Sequence, residues 1–382
     1  MHVDDDWDDD EVPTHSRRVE SIDALRGFDM FWILGGEHLV VSLDKASESK
    51  GFTGLATIAE QMDHVQWAGF HFYDLIFPLF VFLMGVSTVF SLTKVLETKG
   101  TGAAYWRVIR RFALLYLLGL FYHGGLSRDG GPEMFRYMGV LHRIAICYLF
   151  GGLLFINLRF RGLMIAAILL LVGYWAAMTF VPVPGGVAGD YAEGANLANY
   201  VDTQYLPGYK WDGDWDPEGI LSSIPAIVSG LLGIFAGMLI RKEEFTATQR
   251  VGYLTAAGLV CLALGFGWGL QFPIIKKLWT SSFVLYAAGW SYLLVALFYL
   301  IIDVWRIGFW HRPFVWIGMN SIAVYMASNL VGGFRGLVRR VLHEPVVSGI
   351  GSWGDLTVTS LGLLLAILFC RYLYKNNNFI RV

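Results

Sequence analysis

Apolar stretches of about twenty residues, the length that a hydrocarbon layer of about 30 Å demands of one helix, recur throughout this chain. Ten are legible, near 24–43, 70–93, 110–124, 137–157, 162–181, 220–240, 251–271, 281–303, 313–331 and 354–374. Backbone in hydrocarbon must satisfy its own N–H and C=O groups, and runs of this length do so only as helices. Hydrophobic residues make up 55% of the 382 and charged ones 16%, more apolar matter than a soluble core consumes. The expected fold class is all-α, a polytopic membrane protein of about ten transmembrane helices.

Most of the 29 lysines and arginines fall in one alternating set of connections, among them Arg107, Arg110, Arg111, Arg241 and Lys242. Positive residues stay on the cytoplasmic side, so both termini are expected there. Residues 1–18, MHVDDDWDDDEVPTHSRR, are acidic and lack an apolar h-region. They read as a disordered cytoplasmic tail ahead of a membrane domain over 19–382. A net charge of −2 argues against a nucleic-acid partner. Cys147, Cys261 and Cys370 lie far apart in apolar runs, so neither a disulfide framework nor a zinc site is expected. The longest outer loop, about 182–219, sets Asp190, Glu193, Asp202, Asp212, Asp214, Asp216 and Glu218 against Lys210, among many Gly, Tyr and Trp. Such a loop is either plain solvated surface or a platform for a cationic or sugar-like ligand.

Charged groups inside spans cost a few kcal/mol and are functional candidates for that reason. Here they are Asp29 and Glu37 in the first span, His71 and Asp74 in the second, and His142 and Arg143 in the fourth. In DHVQWAGFHFYDLIFPLFVFLMG, residues 63–85, His64, Trp67, His71 and Asp74 follow at spacings of three, four and three. A helix through them would carry all four on one face, as a proton-transfer wire, unless Gly69 marks the end of a loop. Neutral imidazole at neutral pH suits His64 for general-base or nucleophilic work, with Asp63, Glu37 or Asp74 as its orienting carboxylate. Arg143 keeps its charge and requires an anion, from Glu37, Asp74 or a ligand. Arg107, Arg110 and Arg111 in YWRVIRRFALL anchor the third span or bind a phosphorylated cytosolic ligand. The glycines of RGFDMFWILGG and LLGIFAG permit close helix packing or the passage of a narrow ligand.

RVESIDALRGFDMFWILGGE, HVQWAGFHFYDLIFPLFVFLMG, GVLHRIAICYL, DPEGILSSIPAIVSGLLGIFAG and GMNSIAVYM occur in that order. Together they resemble the heparan-α-glucosaminide N-acetyltransferase family and its bacterial relatives. The resemblance implies transfer of an acetyl group from cytosolic acetyl-CoA to the amine of a glucosamine-type sugar on the far side. It puts the family's catalytic histidine on His64, followed by Trp67 and Gly69, and its Asp-Leu-hydrophobic-Phe-Pro element on Asp74 to Pro78. Many relatives have Asn where this chain has Glu37, which bears on the acceptor and the protonation scheme.

On this reading His64, Glu37 and Asp74 form the catalytic set. Acetyl-CoA, the co-substrate, is expected on Arg26, Arg110, Arg111, Arg143 and Asn320. The saccharide is expected on Asp63, Trp67, His71, Asp216 and Glu218. Lysosomal members carry a luminal segment ahead of this core, and on that analogy a bacterial inner membrane is the expected location. The lipid bilayer is a further partner, homodimerisation is left open, and no metal is required. Two rival functions are an O-acyltransferase of envelope polysaccharide, which shares the histidine and the acyl donor, and an amino-sugar transporter. Separated broken helices in repeat-related positions, the mark of many carriers, are not visible.

Overall fold

The computed structural model describes residues 19–48, 51, 54–122, 135–342, 349 and 351–379, and the acidic tail expected over 1–18 lies outside them. Among the described residues every named element is helical, and β pairing is confined to two isolated bridges, Ala68 with Ile275 and Arg136 with Gly208. The chain opens with α1, Glu20–Phe31, which passes through a π-turn at Trp32–Gly36 into α2, Glu37–Glu48. After the short α3, Ala56–Glu60, comes α4, Ile76–Tyr122. Then follow α5, Val140–Asn157; α6, Phe160–Phe180; α7, Leu197–Tyr205; α8, Ser223–Arg241; α9, Ala247–Gly269; and α10, Ser281–Phe298. The chain continues through α11, Arg312–Met319; α12, Ser321–Leu330; α13, Phe334–Leu342; and α14, Ser352–Lys375.

Among the described residues seven helices are long and apolar enough to cross a membrane, against the ten spans expected. Three local features account for the difference. The first expected span is interrupted by the π-turn at Gly35 and carries Arg26, Asp29 and Glu37. The second and third run together as α4, which breaks at Gly100 (φ 79°, ψ 178°), a conformation glycine adopts without a Cβ clash. The ninth is divided at Asn320 into α11 and α12. The chain is an integral, multi-pass membrane protein, all-α as its composition required.

α4 is the hub, packed against α5, α8 and α10. Leu79, Phe82, Leu83, Val86 and Leu92 of α4 share one buried cluster with Ala226, Leu231 and Ile234 of α8. Close approach is what the glycines provide. A Cβ on Gly85 would sit 2.0 Å from the Gly230 carbonyl, and one on Gly233 would sit 1.9 Å from that of Phe82. Likewise a Cβ on Gly27 would meet the Phe314 carbonyl at 1.7 Å, so α1 and α11 touch backbone to backbone. In lipid, where apolar burial drives little association, contacts of this kind hold helices together. Gly27 of RGFDMFWILGG and Gly233 and Gly237 of LLGIFAG therefore serve packing, whereas Gly35 sits at the π-turn with open space around it. α6 and α9 form the rim, with Ile165, Ile168, Leu169, Leu259, Leu264 and Phe266 exposed as lipid-facing side chains must be.

Candidate active site

The polar prefix of the second span does not continue its helix. Residues 61–71 are turns and extended backbone, and helix starts only at Phe72, as a 3-10 turn over Phe72–Leu75 that leads into α4. The reason is the loop before α10. Gly69, at φ 132°, donates its N–H to the Ile274 carbonyl (2.9 Å), and Ala68 bridges to Ile275. This pairing supplies partners that a helix would otherwise provide. His64, Trp67, His71 and Asp74 thus share no helical face, and the expected wire is corrected.

Asp74 folds the segment back on itself. Its Oδ2 accepts the backbone N–H groups of His71 (3.0 Å) and Val65 (3.3 Å), and its Oδ1 lies 2.8 Å from Nδ1 of His64. An ionised carboxylate only accepts, so Nδ1 carries the proton and the ring's lone pair is left on Nε2. Asp74 is 1% exposed, whereas the His64 side chain is half-exposed, so the carboxylate is fixed and the imidazole reaches the open space. Asp63, through Oδ1, accepts the N–H of His64 (2.9 Å). Such an arrangement can serve as a general base: a buried acid sets the tautomer and leaves the lone pair on Nε2.

Lys276 completes the group. Its Nζ lies 3.0 and 3.3 Å from the His64 ring nitrogens Nδ1 and Nε2, and 3.3 Å from Oδ1 of Asp74. Burial pushes the ammonium pKa down, against the opposing pull of the Asp74 carboxylate. No motif or spacing in the sequence marks Lys276 as part of the site. Its one signal was the pair of lysines enclosed by apolar and aromatic residues in FPIIKKLW.

Two cavities meet at this group, and another adjoins one of them. An apolar one of about 170 Å³ is lined by Met30, Ile33, Phe77, Phe80, Ile144 and Tyr325, with His64 and Lys276 in its wall. On its far side a polar cavity of about 240 Å³ shares Phe80, Leu141, Ile144, Ser321 and Ile322 with it, and adds Arg26, Ser87, Ser91, Arg107 and Arg111. The third, about 780 Å³, shares His64, Phe77, Val140, Lys276 and Tyr325, and adds Trp67, Arg136, Arg143, Trp211, Glu218 and Lys277. The shared lining residues set the three side by side, from an arginine cluster, past a hydrocarbon-like lining, to the histidine and a roomy polar chamber.

The expected residues divide accordingly. Arg26 and Arg111 line the arginine cavity, and Arg26 also donates to Oγ of Ser87 (2.5 Å). Arg110 is exposed and does not line it, and Arg107, one turn before Arg111, takes its place. Arg143 belongs to the outer chamber. It is fully buried over the Trp279 ring (4.7 Å), donates to the Pro217 carbonyl (3.0 Å) and to Ser222, and leaves Nε and Nη1 without hydrogen-bond partners among the described residues. Asn320 lines none of the three cavities; it sits at the break between helices and donates to the Trp316 carbonyl (3.2 Å).

Glu37 does not orient His64. It pairs with Nδ1 of His38 at 2.6 Å, and Asp74 holds the orienting position. His71 and Asp63 shape the loop, His71 through Nδ1 against the Asp63 carbonyl (3.1 Å). Trp67 faces the outer chamber, edge-on to Trp215, and donates Nε1–H to the Tyr191 carbonyl (3.0 Å). Asp216 is buried in a two-pronged pair with Arg136 (2.8 and 2.7 Å), which also holds Glu218. Asp216 is thus part of the loop's frame, while Glu218 lines the chamber, its carboxyl pKa raised by burial against the pull of Arg136.

Fold and site together define a polytopic helical membrane protein with a histidine–carboxylate couple where an apolar path meets a polar chamber. The chain belongs to the heparan-alpha-glucosaminide N-acetyltransferase family, whose catalytic-region profile matches residues 18–266. It is 30% identical over 330 residues to heparan-alpha-glucosaminide N-acetyltransferase of Homo sapiens, covering 69% of this chain and 48% of that protein. To the Mus musculus protein of the same name it is 27% identical over 339 residues, covering 71% and 49%. The chain spans about half the length of these curated relatives.

Proposed function

We propose that this protein moves an acetyl group from cytosolic acetyl-CoA to the amine of a glucosamine-type sugar on the opposite side of the membrane. The observation that carries the reading is the adjacency of the three cavities, with His64 in the walls of both the apolar cavity and the outer chamber. Arg26, Arg107 and Arg111 suit the phosphates of the nucleotide, which is too polar to enter hydrocarbon. The apolar cavity suits the slender arm that carries the thioester, and the tryptophan-lined chamber suits a sugar ring. The family relationship supports the same donor and acceptor.

In this reading Nε2 of His64 takes a proton from the acceptor ammonium, and the freed amine attacks the thioester carbonyl. A C–N bond forms, the C–S bond breaks, and the departing CoA thiolate takes a proton, so one proton is released overall. Asp74 holds Nδ1–H and stabilises the imidazolium, without itself becoming protonated. We favour direct transfer over an acetyl-histidine intermediate, because both cavities open at the same ring and donor and acceptor meet there.

The test is purified protein with labelled acetyl-CoA and a panel of amine- and hydroxyl-bearing saccharides, read by mass spectrometry. Acetylation of a glucosamine amine is expected. Acetylation of hydroxyls alone would transfer the site to the O-acyltransferase reading. Uptake of unmodified amino sugar into proteoliposomes without acetyl-CoA would replace the enzyme by a transporter.

A further inference from the structure

Lys276 brings an amine against the His64 ring. Its Nζ lies 3.0 Å from Nδ1 and 3.3 Å from Nε2 of His64, and 3.3 Å from Oδ1 of Asp74, so it stands beside the ring and reaches the Nε2 lone pair by a turn of its own flexible side chain. Both the apolar cavity and the outer chamber count Lys276 in their walls, so a thioester delivered along the first meets this amine before anything in the second. Its neighbour Lys277 differs in each respect. Lys277 lines the outer chamber alone, and its ammonium is tied to Glu193 (3.1 Å) and Asp212 (2.9 Å).

We propose that Lys276 is itself an acceptor: without sugar, the protein transfers the acetyl group of acetyl-CoA to its own Lys276. This inference rests on the acetyl-transfer reading. His64 Nε2 takes the proton of the Lys276 ammonium, and Nζ attacks the acetyl carbonyl. The N–C bond forms as the C–S bond breaks, the CoA thiolate is protonated, and Nε-acetyllysine remains. A buried ammonium surrenders its proton more readily than an exposed one, which adds to the geometric case. The product has lost its positive charge, so the attraction to Asp74 ends, and the added acetyl occupies the junction between the cavities. Self-acetylation would therefore block the path, and a bound amino sugar, competing for the same place, would protect against it.

The experiment uses the full chain in nanodiscs with labelled acetyl-CoA, with and without a glucosamine acceptor, followed by peptide mapping and a parallel assay of sugar acetylation. Label is expected on Lys276 and not on Lys277, reduced when the acceptor is present. His64→Ala should slow the labelling of Lys276 by about a hundredfold, the low end for losing a general base. Lys276→Arg should remove the label while the chain stays folded, as judged by its melting temperature. A preparation that acetylates the sugar but leaves Lys276 unmodified would overturn the inference and spare the acetyl-transfer reading. Equal labelling of Lys276 and Lys277, undiminished by His64→Ala, would reduce it to non-enzymatic acetylation. Failure to acetylate either sugar or lysine would overturn both.

Discussion

Replacing Asp74 by Asn separates the role of its charge from that of its shape. Oδ2 of Asp74 accepts two backbone N–H groups, from His71 and Val65, and those donors dictate which way the amide turns. The Asn oxygen must stay on them, which directs the NH2 toward Nδ1 of His64, 2.8 Å from the present carboxylate oxygen. An NH2 donates, so Nδ1 becomes the acceptor and the ring proton moves to Nε2. The base is then in the wrong tautomer, and the imidazolium has lost its counter-charge. The comparable change in a serine-protease triad costs about four decades in kcat, and a positioned base contributes about two to four decades. The expected loss is about 100- to 10,000-fold in kcat, or about 3–5 kcal/mol at 1.36 kcal/mol per decade. Steady-state acetylation of glucosamine in nanodiscs reads kcat, and calorimetry on the same sample reads the Kd for acetyl-CoA, which should stay near wild type. A kcat within about threefold of wild type would remove His64–Asp74 from the chemistry, since no base in the wrong tautomer works that well.

His64→Ala should abolish sugar acetylation and leave acetyl-CoA binding intact; turnover near wild type would end the assignment. Arg107→Ala with Arg111→Ala should weaken acetyl-CoA binding by about tenfold or more, given about 1.5–3 kcal/mol for a charge-assisted hydrogen bond. Arg110→Ala, an exposed position, should leave the Kd alone, and the reverse pattern would move the nucleotide elsewhere. Gly27→Ala forces a Cβ against the Phe314 carbonyl and should cost about 1–3 kcal/mol or more, read as a lower Tm in detergent. An unchanged Tm would show that α1 and α11 are not in backbone contact. Asp202, which accepts the Ile220 N–H (2.9 Å), has its pKa pushed up by burial from 3.8 to about 6. Between those values the folded chain holds more protons than the unfolded one, so this group's contribution falls as pH rises, by about 3 kcal/mol in all. Asp202→Asn should flatten that part of the melting-temperature profile, and superimposable slopes would contradict it.

The membrane fold was legible because apolar length is a local property, and the three departures from ten spans all occur at residues that interrupt a helix, Gly35, Gly100 and Asn320. His64 and Asp74 were legible as a pair from their nearness in sequence. The helical wire through them was not, because the pairing of Ala68 and Gly69 with the loop before α10 outweighs a periodicity of four residues. Lys276 stands 212 positions from His64, and no local pattern brings such residues together. Asp216 and Arg110 lie away from the cavity walls for a common reason. Composition identifies charge, but only packing decides whether that charge is consumed by a partner such as Arg136 or turned away from the cavity.

Sidedness is the most direct test of the path. Protein reconstituted in one orientation, with acetyl-CoA supplied to the face bearing Arg107 and Arg111 and glucosamine confined to the face bearing His64, should release N-acetylated sugar on the His64 side. Exchanging the two compartments should abolish the product. Product formed only when donor and acceptor share one compartment would contradict transfer across the bilayer by way of the adjoining cavities.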